Sequence, residues 1–170
     1  MKKSVLGSIV IGAVLTAAFT YLYQIQNLPI ATTHNTNKSA SGLDVNNVTK
    51  VTLGKKVYGQ HCASCHGVNL EGQPNWKQLG ADGRLPAPPH DESGHTWHHP
   101  DNYLIHVVKE GLVAGVDKPI DYHNNMPAFG QVLSDDEVTA VLTYIKSTWS
   151  MDYQEWQEET NKPVKKSTQP

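Results

Sequence analysis

The only two cysteines in this 170-residue chain are Cys62 and Cys65, and His66 follows at once in the stretch GQHCASCHGVNL. A redox dithiol, a zinc site and a covalently attached haem are the chemistries that ask for such a cluster. A redox dithiol belongs between a strand and a helix in a βαβ unit, and no strand-period segment precedes Cys62. A zinc site needs four ligands. Here histidines such as His98 and His99 would have to supply the rest. Haem attachment uses every residue of the cluster, since Cys-x-x-Cys-His is the c-type signature. Both thiols add to the two vinyl groups on one edge of the porphyrin. One helical turn sets positions i and i+3 on one side, and the adjacent histidine turns its ring under the iron. The residues therefore point to one covalent haem c on Cys62 and Cys65, with His66 as a metal ligand.

Iron has a second axial position, and the methionines are Met1, Met126 and Met151. Met126 lies in NNMPAFG, 60 residues after His66, and Pro127 stiffens the chain beside it. A lone methionine often only fills a core, but this one sits in a polar loop. Met126 is the expected second metal ligand. His98, His99 and His123 are its rivals, His123 first because it lies three residues away. His/Met ligation is an electron-transfer pattern with a raised potential.

The stretch GRLPAPPHDESGHTWHHP is the least generic in the chain. It carries Arg84, Trp97 and four histidines: His90, His95, His98 and His99. Arg84, the Trp97 N–H and one histidine can hydrogen-bond haem carboxylates, which are strong charge-assisted partners. A copper or zinc site is a second reading, because imidazole suits both metals. A solvated polar loop is a third.

Helical elements must position these groups. Residues 48–62 form a helix with Val48, Val51 and Tyr58 on one face. From Gly67 to Pro100 the chain is rich in Gly and Pro and reads as irregular. HPDNYLIHVVKEG reads as a helix opened by Pro100, buried through Tyr103, Leu104, Val107 and Val108, and closed by Gly111. SDDEVTAVLTYIKSTW is the last clear helix. Ser134 and Glu137 make a capping box, and Val138, Val141, Leu142, Ile145 and Trp149 follow helical spacing. The chain after Met151 is polar and reads as a fraying tail apart from Trp156. Long loops between few helices fit a compact domain when something other than peptide fills its centre.

At the start, Lys2 and Lys3 precede Val5–Tyr23, 19 residues without a charge. Such a run can just cross a ~30 Å hydrocarbon core, with the lysines inside and the rest of the chain outside. A cleaved signal peptide, cut after Ala18, is the alternative. Residues 1–30 are thus a signal-anchor or transmembrane helix, and 31–47 a polar tether with ends about 20–25 Å apart. Residues 48–150 form the folded domain and 151–170 the tail. The net charge of −2, with no basic stripe, excludes a nucleic-acid partner.

CASCHG, the MPAFG loop and the terminal helix LSDDEVTAVLTYIKSTW resemble a class I, mono-haem bacterial cytochrome c over about Val48 to Trp149. The resemblance implies an all-α fold, about four helices with long loops around one haem, the first and last helices crossing beside it. It implies that Gly54 and Tyr58 meet the last helix around Leu142 and Ile145. It also implies a proline carbonyl accepting the His66 ring N–H. APPH matches that element, with Pro88 as the acceptor, although His90 stands where relatives often carry leucine.

These readings converge on a non-enzymatic electron carrier at the inner or plasma membrane, its haem domain on the outer, periplasmic side. It would pass single electrons between redox proteins such as an oxidase, a reductase or a dehydrogenase. The alternatives are a peroxidase-like haem with an open site, using His123 as acid/base, and a metal-handling or sensing protein built on the histidine-rich loop.

Overall fold

The computed structural model describes residues 42–112 and 125–163. Among them are five α-helices and no strand: α1 (Val48–His61), α2 (Ala63–His66), α3 (Asp101–Glu110), α4 (Asp135–Ser147) and α5 (Met151–Thr160), with a short 3-10 turn at Thr96–His98. The Val5–Tyr23 run, the adjoining tether up to Ser41 and His123 lie outside the described residues. No helix among the described residues is long and apolar enough to cross a membrane.

The α1/α4 crossing organises the core. Asn47 caps α1, its side chain accepting from the Lys50 N–H at 3.0 Å. The buried face of α1 is Gly54, Val57 and Tyr58, and Val48 is 76 % exposed, so the inward stripe begins a turn and a half later than expected. A Cβ on Gly54 would lie 1.9 Å from the Ala140 carbonyl oxygen and 2.8 Å from Tyr144 Cβ. Only hydrogen fits there. Tyr58 packs on Tyr144 with ring centroids 5.5 Å apart. Gly54 and Tyr58 thus meet the last helix through Ala140 and Tyr144, beside the expected Leu142 and Ile145, which share the core cluster with Tyr58 and line a cavity.

The start of α4 is a complete capping box. The Ser134 hydroxyl accepts from the Glu137 N–H at 3.3 Å, and the Glu137 carboxylate accepts from the Ser134 N–H at 2.9 Å. Val138, Val141, Leu142, Ile145 and Trp149 are all buried.

Both ends of the domain extend further than the sequence indicates. Leu43 is 2 % exposed and belongs to the core, so packing begins before Val48, inside the segment read as tether. Residues 151–160 are helix α5 rather than a frayed tail. Few apolar side chains mark this helix, because polar bonds hold it. Gln157 donates to the His99 carbonyl and to Asp101, Asn161 accepts from the Asp101 N–H at 2.8 Å, and the buried Lys146 ammonium pairs with Glu158.

Candidate functional site

One turn of chain joins α1 to the cysteine cluster. The His66 and Cys65 N–H groups both donate to the Cys62 carbonyl, at 2.9 and 3.1 Å. Cys62, Cys65 and His66 thereby face one cavity of about 500 Å³, a size typical of small-molecule and cofactor sites. The Tyr58 hydroxyl pins the end of the turn by donating to the Gly67 carbonyl at 2.8 Å. Burial, and then the neighbouring Cys65, push the Cys62 thiol up to about 11.

His66 is buried, and burial lowers its pKa, partly opposed by its bond to Pro88. Its Nδ1 lies 2.8 Å from the Pro88 carbonyl oxygen, where Nδ1–H donates. This bond leaves Nε2 as the ring's lone-pair donor. The local backbone places Pro88 tightly. A Cβ on Gly72, which has φ +68°, would lie 2.4 Å from Pro89 N, and one on Gly94 would lie 2.1 Å from Pro89 O. The two glycines clasp the Pro88–Pro89 segment, and Gly72 N–H donates to the His66 carbonyl at 2.8 Å.

Met126 lines the same cavity. Its loop is tied to the end of α3 by Phe129 N–H donating to the Val108 carbonyl at 3.0 Å and Gly130 N–H to the Lys109 carbonyl at 2.8 Å. Gly111 closes α3 with φ +72° and lies close under the Met126 carbonyl. Tyr103, Val107 and Val108 are only partly buried although the helical pattern marks them as buried, because they also line the cavity.

The histidine-rich stretch divides. His90, His95 and His99 line the cavity. His98 is exposed and stacks on Trp97 at 3.6 Å. Trp97 does not line the cavity. It packs edge-on to Tyr153 at 4.8 Å and near Trp156 at 5.7 Å, so its contacts are with α5. Arg84 is exposed and also outside the lining; its guanidinium donates to the Asn125 side chain, next to Met126. The structure thus sets Cys62, Cys65, His66, Pro88 and Met126 around one cavity and leaves Arg84 and Trp97 off its wall. Their contacts in the structure are with Asn125 for Arg84 and with His98 and α5 for Trp97. His90, His95, Thr96 and His99 from this stretch and Tyr103 from α3 are polar residues that line the cavity, and the type pattern alone did not separate these histidines from His98. Among the described residues no three His, Cys, Asp or Glu side chains are arranged to hold a metal ion.

Residues 51–149 match the Cytochrome c family. The chain belongs to the cytochrome c family. It is a class I c-type cytochrome, its cofactor is covalent haem c, and it is a haem-based electron-transfer protein, as family members generally are. The cavity fits that group: two thiols, a buried histidine with one ring nitrogen engaged, and walls from apolar side chains such as Leu85, Val107 and Ile145. No curated protein and no solved structure matches the chain. Helix α5 lies beyond the matched residues.

Proposed function

We propose that this cytochrome c is an exported, membrane-anchored carrier of single electrons between redox proteins. In this reading Cys62 and Cys65 hold the haem, and His66 and Met126 ligate the iron. The observation that carries it is the convergence of these four side chains on one mainly apolar cavity, with His66 Nδ1 already bound to Pro88. When bound, haem c supplies a one-electron couple.

The residues around it do the rest. The Pro88 carbonyl fixes the His66 tautomer and raises the basicity of Nε2. The loop from Asn125 to Phe129 presents the Met126 thioether, and the apolar walls exclude water. With His66 and Met126 both as ligands, no position would remain for a substrate, so the group would supply outer-sphere electron transfer only. Between Lys50 and Ser150 eight Lys/Arg stand against eleven Asp/Glu, so docking does not depend on a lysine ring. The Val5–Tyr23 run would anchor the chain, and the polar residues after it would give the domain reach.

The oxidised protein is expected to show the near-infrared methionine–iron charge-transfer band. Met126→Ala should abolish the band and open the iron to cyanide or carbon monoxide. A wild-type spectrum without it would refute Met126 ligation. Mass spectrometry of the mature membrane fraction should detect the peptide carrying Met1–Lys3; its absence there would favour cleavage.

A further inference from the structure

His90 occupies a position that the electron-carrier reading leaves without a task. Its ring stacks on the His66 ring, centroids 4.0 Å apart and planes 22° from parallel. It is also held on several sides. Its Nδ1 lies 2.8 Å from the Thr96 hydroxyl. Its N–H donates to the Leu70 carbonyl and its carbonyl accepts from the Trp149 indole, each at 2.8 Å. Tyr58 meets it edge-on at 6.4 Å.

The Pro88 bond fixes one atom of the His66 ring. A planar ring tethered at its Cβ and at one nitrogen can still rock about the line joining them. A flat neighbour at van der Waals distance removes that motion; a branched aliphatic side chain fills volume without offering a plane. The neighbour must itself be oriented, and a hydrogen bond to Thr96 does that for an imidazole but not for a phenyl ring. Thr96 is 6 % exposed, in the 3-10 turn between His95 and His99. That turn is braced by α5 through Trp97 and the bond from Gln157 to the His99 carbonyl.

We propose that His90 is a positioning residue that, oriented by Thr96, sets the plane of the His66 imidazole. This rests on the reading of His66 as an iron ligand. It assigns the histidine-rich loop and α5 a common task, carried from Thr96 through His90 to His66, and it requires no ligation by His90.

The test uses the full-length oxidised holoprotein, with wild type, His90→Leu, His90→Phe and Thr96→Val compared. The electron paramagnetic resonance g-anisotropy and the order of the shifted haem-methyl proton resonances report the plane of an axial imidazole. His90→Leu should change both while the methionine–iron band stays. His90→Phe keeps a flat face without the polar handle and should broaden the signals into more than one orientation. Thr96→Val preserves volume and should reproduce that broadening in milder form, which keeps the test informative if a His90 variant folds poorly. Unchanged g-values and methyl order in both His90→Leu and Thr96→Val would overturn the proposal. Failure of the underlying reading looks different: wild type would then lack the low-spin histidine-ligated spectrum altogether.

Discussion

The α1/α4 crossing and the α5 brace hold the same domain by opposite means. At the crossing, a glycine lets two backbones touch and apolar side chains fill what remains. At the brace, a polar helix is fastened by bonds that span 56 to 60 residues of sequence, from Gln157 to His99 and Asp101 and from Asp101 to Asn161. Removing a group has different consequences in the two places. The crossing fails by overpacking, because interiors are already close-packed. The brace fails by leaving a buried polar group without its partner. The difference also separates tasks: the crossing builds the wall behind the cavity, and the brace holds the loop whose histidines face it.

The comparison can be broken most severely at Gly54. Gly54→Ala drives a methyl into the Ala140 carbonyl, which cannot swing aside as a side-chain tip could. A loss of about 3 kcal/mol is expected in urea unfolding followed by circular dichroism. A change below about 1 kcal/mol would mean that the helices part easily.

The brace should respond less, and locally. Lys146 is 3 % exposed, whereas the Glu158 side chain is about one-third exposed. Glu158→Gln leaves a buried ammonium without its countercharge, with a loss of about 2 kcal/mol after allowance for the solvent at Glu158. Hydrogen exchange should rise in α5 and around Thr96–His98 before it rises in α1. Equal acceleration in α1 would show that the two regions open as one.

The smallest effect sharpens the picture at the start of α4. Ser134→Ala should cost about 1 kcal/mol. The Ser134 backbone N–H, and then its hydroxyl, hold the Glu137 carboxyl below its ordinary value. A depressed carboxyl stabilises the fold above its unfolded pKa, and that contribution is lost as pH falls through the folded one. The gap between wild type and Glu137→Gln should therefore be open at neutral pH and close in acid. Thermal melts across that range would show it, and a gap independent of pH would remove the box's electrostatic share.

The regions differ equally in how legible they are. The cysteine spacing, the capping box and the Val138–Trp149 stripe are local patterns, and each appears in the structure where its spacing puts it. The inward face of α1 was less legible, because Gly54 carries no side chain for a hydropathy pattern to register. Residue type alone did not say what Trp97 and Arg84 touch. Trp97 turned to Tyr153 and Trp156, which lie 56 and 59 residues on, and no local signal announces such a partner. The same long range hid α5, whose inward face is Gln157 rather than a row of leucines.

By itself the sequence determined the chemistry on offer: two thiols beside one histidine, a methionine held by a proline, and helices whose apolar periodicity must close around a shared centre. Only the tertiary structure decided which proline carbonyl meets His66, which of four histidines face the cavity, and that His90 lies flat against His66. Spacing along the chain fixes contacts within a turn or two of helix. Contacts across twenty to sixty residues depend on how glycines such as Gly72 and Gly94 let backbones close on each other, and that is settled when the whole chain packs.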